Sequence, residues 1–147
     1  MEARLEAPLV DPFTGEDLGI NLLGIADLVL PSVDPSGPVI VDFKTSSRSS
    51  APAEIVHEIQ LGCYAYLLRS VTGLTEGSLQ IRSLVKTKVP KVSTSQYGAR
   101  TDAHLRRLFG VIREYLDCLD SGKFSYRPGW TCSMCDHKKR CSSWSAE

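Results

Sequence analysis

The residues best suited to chemistry lie in one short stretch, Asp42-Phe43-Lys44, directly after the apolar run Val39-Ile40-Val41. That run predicts a β-strand. Because side chains alternate along a strand, Asp42 and Lys44 share one face, about 7 Å apart, and Phe43 is predicted to enter the core on the other. Asp27 precedes the strand at a distance that suits the neighbouring strand of a hairpin. Two acids and a lysine on one sheet face can hold a divalent cation and assist phosphodiester hydrolysis.

An isolated Asp-x-Lys is common and most often marks a solvated strand end, so the residues that follow it matter. A polar loop over 45–50 leads into a predicted helix that carries Gln60 and Tyr64. Residues four positions apart lie on the same helix face. Taken alone, the two side chains are best interpreted as a buried polar pair on the flank of a helix.

Three cysteines are crowded near the C-terminus as Cys132-x₂-Cys135-x₅-Cys141. This spacing is typical of a metal centre, because a knuckle presents two thiolates and a short loop returns the third. Structural zinc completed by His137 is one interpretation, and an empty site is another. The other two of the five cysteines, Cys63 and Cys118, are interpreted as small buried hydrophobic residues.

Taken in order, Gly24-x-x-Asp27, Asp42-x-Lys44 and Gln60-x₃-Tyr64 resemble the PD-(D/E)xK nuclease superfamily. More narrowly, they resemble its RecB-like exonuclease branch, which includes the AddAB and CRISPR-associated RecB-like nucleases. The segment 84–90 and the cysteine motif are also similar to that branch. The resemblance covers residues from about 18 to 141, nearly the whole chain.

The resemblance implies a role for each matching residue. Asp27, Asp42 and the backbone carbonyl of Phe43 would bind Mg²⁺ or Mn²⁺, and Lys44 would be the catalytic lysine. Gln60 and Tyr64 would brace that lysine or contact the DNA backbone. Cys132, Cys135 and Cys141 would be ligands of a structural 4Fe–4S cluster.

Two features of the family pattern have no counterpart in this sequence. Family members usually place an acidic or histidine residue on a helix well before the first aspartate, and the fourth cluster cysteine in the same region. Here only 26 residues precede Asp27, and no cysteine precedes Cys63. We therefore expect a fragment, or a C-terminal nuclease core, that lacks an N-terminal helical part.

Composition is that of an ordinary globular domain, with 42% hydrophobic and 23% charged residues and a net charge of zero. Residues 1–34 hold seven acids against one base, whereas residues 80–147 hold thirteen bases against six acids. This asymmetry fits a basic C-terminal surface that follows phosphates, or charges scattered for solubility. The sequence shows no apolar run of membrane-spanning length and no signal peptide, which predicts an intracellular, cytoplasmic protein.

The element order of strands, helix, strands, helix predicts an α/β (mixed α+β) fold of the restriction-endonuclease-like type, with a mixed sheet flanked by helices. The predicted elements include a strand over 18–30 bent near Gly24, a helix from Pro52 to about residue 71, a strand over 79–85, an edge strand after Pro90 and a helix from 101 or 102 to 122. In the first helix the helical periodicity is given by Ile55, Ile59, Tyr66 and Val56, Cys63, Leu67, Val71, and Gly73 is predicted to end it. We assign residues 1–125 to the nuclease core, and residues 126–147 to a cysteine-rich metal staple packed on it as part of one domain.

The resemblance and the residues together predict a metal-dependent DNA exonuclease that acts in DNA repair, recombination, or phage or CRISPR DNA processing. Its expected partners are single-stranded DNA or duplex ends and a helicase or other recombination protein. The alternative function is a non-catalytic DNA-binding or assembly module that retains the nuclease fold. That alternative follows from the missing upstream acid or histidine, because a site short of one ligand binds metal poorly.

Overall fold

The computed structural model describes residues 2–31, 36–46, 54–123 and 129–143, without the side chains of Ser46, Trp130 and Ser142. It divides into two compact units, Met1–Gly110 and Val111–Glu147. The predicted helix start at Pro52 and the predicted boundary at residue 125 lie outside the described residues. In the described part of the chain, no helix combines the length and the apolarity needed to cross a bilayer.

Six strands and two long helices form the described secondary structure of the first unit. The strands are β1 (Ala3–Val10), β2 (Asp17–Ala26), β3 (Leu28–Leu30), β4 (Val39–Ser46), β5 (Ser78–Val85) and β6 (Lys91–Gly98). The helices are α1 (Glu54–Thr72) and α2 (Asp102–Asp120), of which α2 continues into the second unit.

The strands form two sheets. An antiparallel pair, β1–β2, makes the first sheet, and the second has the order β3-β4-β5-β6. In the second sheet β4 and β5 are parallel, and the other two pairings are antiparallel. Helix α1 connects the two parallel strands, as a parallel pairing requires. The predicted α/β class with a mixed sheet and flanking helices is confirmed.

The core lies between α1, the first sheet and one face of the second sheet. Its fully buried members include Ile40 of β4, Leu79 and Ile81 of β5, and Leu61 and Leu67 of α1. Alternation along β5 explains the sheet side of this core, because Leu79, Ile81, Ser83 and Val85 are buried whereas Gln80 and Arg82 are only partly buried.

The predicted helix is present and ends before Gly73, but the apolar residues that indicated it are only partly buried. Leu67 and Tyr66 are buried, but Ile55, Val56, Ile59 and Val71 are exposed. The buried residues are those from Leu61 to Leu68 except Cys63, which is half-buried, so the middle of the helix is covered around most of its circumference. The sequence pattern contains apolar residues on several sides of this helix, so periodicity alone does not select the side that meets the sheet.

The predicted bend at Gly24 is also wrong, because the strand breaks at Asp27. Pairing with β1 continues to Ala26, opposite Ala3, and pairing with β4 starts at Leu28, opposite Val41. Asp27 is therefore the residue at which the chain passes from one sheet to the other. Gly24 serves a different purpose: a Cβ there would lie 2.5 Å from Leu67 Cδ1, so glycine permits the close approach of α1.

A buried ion network joins the end of α1 to the segments before β5 and after β6. Arg69 donates two hydrogen bonds to the Glu76 carboxylate, at 2.8 and 2.7 Å, and Glu76 also accepts from the backbone N–H of Arg100 at 2.7 Å. The Arg100 guanidinium lies 2.8 Å from Glu54 at the start of α1. Both ends of α1 are thereby connected to the same residue.

The second unit holds the later part of α2, a 3₁₀-helix (Trp130–Met134) and the short helix α3 (Lys138–Ser142). Gly122, with φ 65°, follows α2 where the sequence predicts the helix end.

Candidate active site

The site is built where β3 and β4 begin to pair. Leu28 lies opposite Val41 in the antiparallel register, and extending that register by one residue places Asp27 level with Asp42. A hydrogen bond fixes the arrangement, because the backbone N–H of Phe43 donates to Asp27 Oδ2 at 2.6 Å. The predicted meeting of two acids from neighbouring strands is therefore present in the fold.

Asp42 and Lys44 share one face of β4, as the alternation predicts. Lys44 Nζ lies 2.8 Å from Asp42 Oδ2, and the aspartate side chain is 3% exposed whereas the lysine side chain is 35% exposed. Burying a carboxylate without a counter-charge is very costly. The Lys44 ammonium supplies the counter-charge for Asp42, which the apolar core cannot supply.

Asp42 Oδ2 has no hydrogen bond of acceptable geometry within the described residues, although the ammonium of Lys44 lies close to it. The contact between Lys44 and Asp42 is therefore an attraction between charges that lacks the alignment of a good hydrogen bond. Buried oxygen atoms are nearly always hydrogen-bonded in native proteins. This oxygen thus retains capacity for a further ligand, such as a cation or a water molecule.

Helix α1 supplies the other two predicted residues. Gln60 Nε2 donates to Asp42 Oδ1 and to the hydroxyl of Tyr64, at 3.1 Å in each case. The Tyr64 hydroxyl in turn donates to the Ile25 carbonyl at 3.0 Å. This chain of hydrogen bonds leads from the backbone of β2 to the carboxylate on β4, and it orients the Gln60 amide with its nitrogen toward Asp42.

Burial raises the pKa of the Tyr64 phenol above its usual value of 10.0. The hydrogen bond from Gln60 and the charge of Lys44 oppose the rise, whereas the charges of Asp42 and Asp27 add to it. The hydroxyl therefore stays protonated at neutral pH and can keep donating to Ile25.

Phe43 does not enter the core, contrary to the prediction from the alternation in β4. Its side chain is 41% exposed. Helix α1 covers the face of the sheet that carries Ile40 and Asp42, and Phe43 points to the opposite face, on which Val41 is fully buried but Phe43 is not. The backbone of Phe43 remains at the site through its bond to Asp27, and its carbonyl as a metal ligand stays a prediction.

A hard cation fits the pair of carboxylates, although the number of acids is small. Within the described ranges, no group of three or more His, Cys, Asp or Glu side chains is placed to hold a metal ion. Mg²⁺ is commonly held by one or two carboxylates together with water and substrate phosphates. Asp27 and Asp42 supply two carboxylates, and Asp42 Oδ2, which is ion-paired with Lys44 but has no well-aligned hydrogen bond, is the atom that favours a ligand there.

The three cysteines near the C-terminus give less indication of a metal site. Cys135 is exposed, Cys132 and Cys141 are half-buried, and Cys132 Sγ accepts a hydrogen bond from the Gly129 N–H at 3.2 Å. The absence of a metal-binding group in the described ranges applies to these thiols and to His137 as well. In this arrangement the residues do not fit a 4Fe–4S or zinc centre, and the predicted cluster has no support.

Sequence reasoning missed two contributors to the site. Ile25 supplies the carbonyl that anchors Tyr64, and Gly24 permits the close approach of α1. Backbone groups carry no side-chain signal, so Ile25 could not have been identified from the sequence. Gly24 belongs to the first motif of the sequence, but its packing role depends on the position of Leu67, which the sequence does not give.

Two crystal structures are similar to this chain in fold. SSO0001 has a TM-score of 0.53 at 17% identity, and the match covers 95% of this chain and 56% of that one. An exonuclease candidate from Eubacterium rectale has a TM-score of 0.51 at 18% identity, with 99% and 52% covered. The chain thus spans about half the length of each structure. No curated protein sequence matches it.

The site geometry agrees with a comparison of the sequence with protein families. Residues 1–142 match the model of the PD-(D/E)XK nuclease superfamily, and this match covers nearly the whole chain. Asp27, Asp42 and Lys44 lie within the matched region and are brought together by β3 and β4. The chain belongs to the PD-(D/E)XK nuclease superfamily.

Proposed function

We propose that this chain is the core of a Mg²⁺- or Mn²⁺-dependent DNA exonuclease of RecB-like type. The observation that carries the proposal is the convergence of Asp27, Asp42 and Lys44 at one edge of the mixed sheet. Membership of the superfamily supports a hydrolytic nuclease, and the similarity in fold to an exonuclease candidate agrees with it.

Asp27 and Asp42, with the Phe43 carbonyl, are the proposed ligands of the cation. The bound cation would lower the pKa of a coordinated water and offset charge on the scissile phosphate. The protein's own contribution is to hold two negative charges close together, which Lys44 compensates until a cation takes its place. Asp27 is held by the Phe43 N–H, so its carboxylate is oriented before any cation binds.

Lys44 is the proposed catalytic lysine. Its side chain is one-third exposed, so the ammonium can reach both Asp42 and a phosphodiester that lies above the sheet edge. A positioned cation is most effective when aimed at charge that develops in the transition state. The flexible stem of lysine allows that movement without a change in the backbone.

Gln60 and Tyr64 are proposed as positioning residues. Gln60 saturates Oδ1 of Asp42, which directs the other oxygen, Oδ2, toward the lysine and the proposed cation. Tyr64 holds Gln60 in place from the opposite side. This bracing is one of the two roles that the resemblance implies, and the contacts within α1 and β4 favour it over contact with DNA.

A direct test is cleavage of end-labelled DNA by the purified chain with Mg²⁺ or Mn²⁺. The expected result is stepwise shortening from an end, which disappears with EDTA and in Asp42→Asn and Lys44→Met. Arg4→Gln is a suitable control, because Arg4 is an exposed base on β1 paired with Glu6. Unchanged cleavage by either site variant would refute the assignment of the site, and internal cuts would refute the exonuclease part.

A non-catalytic DNA-binding or assembly module is the second candidate. It is favoured by the small number of acids at the site, since the described residues provide only two carboxylates there and no larger ligand group. Gel-shift binding of DNA without cleavage at millimolar Mg²⁺ or Mn²⁺ would select this function over hydrolysis.

The C-terminal staple and the biological partners remain predictions. Metal analysis and an absorption spectrum of anaerobically purified protein test the staple: bound iron with absorption in the visible region would support 4Fe–4S, and bound zinc without colour would support Cys132, Cys135, Cys141 and His137. Co-purification with a helicase or another recombination protein would test the partner. No step of the proposed reaction depends on either.

A further inference from the structure

The antiparallel hairpin of β5 and β6, Ser78–Gly98, is unusual in its charge. It contains four basic residues and no acid, in a chain whose net charge is zero: Arg82, Lys86, Lys88 and Lys91. Three of these lie in or beside the five-residue loop that joins Val85 to its partner Lys91. All three lysines are exposed.

The loop of this hairpin lies at the same end of the sheet as the proposed catalytic residues. Strands β4 and β5 are parallel, with Lys44 level with Ser83 and Ser46 level with Val85. Val85 is therefore only two residues, or about 7 Å, beyond the level of Lys44. Since Ile81 shares the core face with Ile40, Val85 lies on the face that carries Lys44. Its neighbour Leu84, and Val92 which pairs with Leu84, lie on the opposite face, with Phe43.

A cleft of about 300 Å³ is formed at this end of the hairpin, lined by Leu84, Val85, Lys86, Thr87, Pro90, Lys91 and Val92. Leu84 and Val92 are directly paired across the hairpin and are 42% and 64% exposed. Two hydrogen bonds of Thr87 stabilise the loop. Its backbone N–H donates to the Val85 carbonyl at 3.1 Å, and its hydroxyl donates to the Val89 carbonyl at 2.5 Å. The cleft thus combines an apolar wall with lysines at its rim.

We propose that this cleft is a subsite for one unpaired nucleotide of the DNA strand, at the same end of the sheet as Lys44 and on the other face. The base and sugar would lie against Leu84 and Val92, and Lys86 and Lys91 would contact the phosphate. The proposal rests on the function proposed above and adds a residue-level site for the substrate.

Charge, size and the apolar wall agree with such an occupant. An acid-free basic surface favours a polyanion, and phosphates are the charged groups of the proposed substrate. The volume lies at the lower end of the range for small-molecule pockets, about 300–1,000 Å³, which is suitable for a single nucleotide and not for a base pair. Exposed apolar side chains can cover a base only when that base is unstacked, as single-strand binding proteins do with aromatic residues.

The experiment is fluorescence anisotropy of a labelled oligothymidylate with the full chain in EDTA, where no cleavage occurs. Lys86→Gln and Lys91→Gln are compared with Arg4→Gln, which removes a base from β1. Each loop variant is expected to weaken binding several-fold and to reduce the slope of log K against log salt by about 0.7. Arg4→Gln is expected to leave both unchanged. Equal effects in all three variants, or none in the loop variants, would overturn the proposal.

The apolar wall is tested with a single abasic position moved along the oligonucleotide. In the parent protein, base removal at one position is expected to weaken binding, and Val92→Ser should abolish that position dependence. Val92 is exposed on an edge strand, so the variant should fold, and circular dichroism checks this. A parent protein that responds equally to every abasic position has no base subsite.

Cleavage with Mg²⁺, measured separately, distinguishes this proposal from the one on which it rests. Normal cleavage with unchanged binding in the loop variants would overturn the subsite and leave the nuclease standing. Position-dependent binding without cleavage would leave the subsite standing and overturn the nuclease. A parent protein that binds no oligonucleotide at all would overturn both.

Discussion

Lys44 Nζ and Asp42 Oδ2 lie 2.8 Å apart, with the carboxylate almost fully buried and the ammonium one-third exposed. The contact has two consequences that can be separated by mutation. For stability, the lysine compensates a buried negative charge. For the proposed chemistry, the carboxylate holds a cation and the ammonium acts on the phosphate. Variants of the two residues should therefore differ in folding and agree in activity.

Asp42→Asn is expected to abolish cleavage without lowering the melting temperature. Asparagine keeps an oxygen that can accept from Gln60, and it removes a charge whose burial is costly. Lys44→Met should also lower cleavage, by about 10²–10³-fold, because it removes a group aimed at developing charge. Unlike the asparagine variant, it leaves the carboxylate unpaired and should cost about 1–3 kcal/mol of stability. Thermal melts and single-turnover cleavage test both; an Asp42→Asn protein that melts well below Lys44→Met would contradict the argument.

Tyr64→Phe is expected to lower stability by about 1–2 kcal/mol, because the hydroxyl accepts from Gln60 and donates to Ile25. The lowered activity should appear in kcat more than in KM if Gln60 only orients Asp42. Tyr115→Phe is the matched control, since Tyr115 is 63% exposed. A KM effect as large as the kcat effect would instead indicate contact with DNA.

The same tyrosine makes an alkaline prediction. Its pKa is raised in the folded protein, so the folded state keeps the phenolic proton to higher pH than the unfolded chain. The resulting stabilisation is complete below pH 10.0 and is lost as the pH rises from there through the folded pKa. Urea unfolding between neutral pH and pH 10.0 and above should therefore show a steeper alkaline loss in the parent than in Tyr64→Phe.

The sequence could predict where the candidate site residues lie because they belong to elements with clear periodicity. Alternation placed Asp42 and Lys44 on one face, and helical spacing placed Gln60 with Tyr64. It could not predict which face of the sheet α1 covers, since both faces of β4 carry apolar residues. For this reason the position of Phe43 was wrong while that of Asp42 was right.

The strand break at Asp27 illustrates a second limit. Glycine is the residue that most often marks a bend, so the sequence favoured Gly24. The break is actually set by a change of partner strand, from β1 to β4, and partner choice depends on residues distant in the chain.

The cysteines illustrate a third limit of prediction from the sequence. Their spacing permits a metal centre, but whether three thiols converge depends on backbone geometry that spacing does not define.

Gly24→Ala is expected to destabilise the first unit by about 1–3 kcal/mol, because the new methyl group would meet the fully buried Leu67 side chain at 2.5 Å. Leu67→Val removes the atom in conflict, so the cost of Gly24→Ala should be smaller in that background. Gly110→Ala is the control: no atom lies within 4 Å of its added Cβ, and alanine should stabilise α2 by up to about 1 kcal/mol. Urea unfolding of the parent, Gly24→Ala, Leu67→Val and the double variant measures the coupling between the two positions. Additive effects would exclude the clash as the cause.

Glu76→Gln is expected to be among the most destabilising of the polar substitutions. Glu76 is 1% exposed and accepts from Arg69 and from the Arg100 backbone, so an amide would leave the partly buried Arg69 guanidinium without its counter-charge. Breaking such a buried pair costs about 3–5 kcal/mol. The pair of Arg107 and Glu58, at 2.6 Å with Arg107 55% exposed, provides the comparison, and Glu58→Gln should cost about 1 kcal/mol or less. Urea midpoints of the two variants decide the point: similar shifts would mean that the burial of Glu76 does not add to the strength of its ion pair with Arg69.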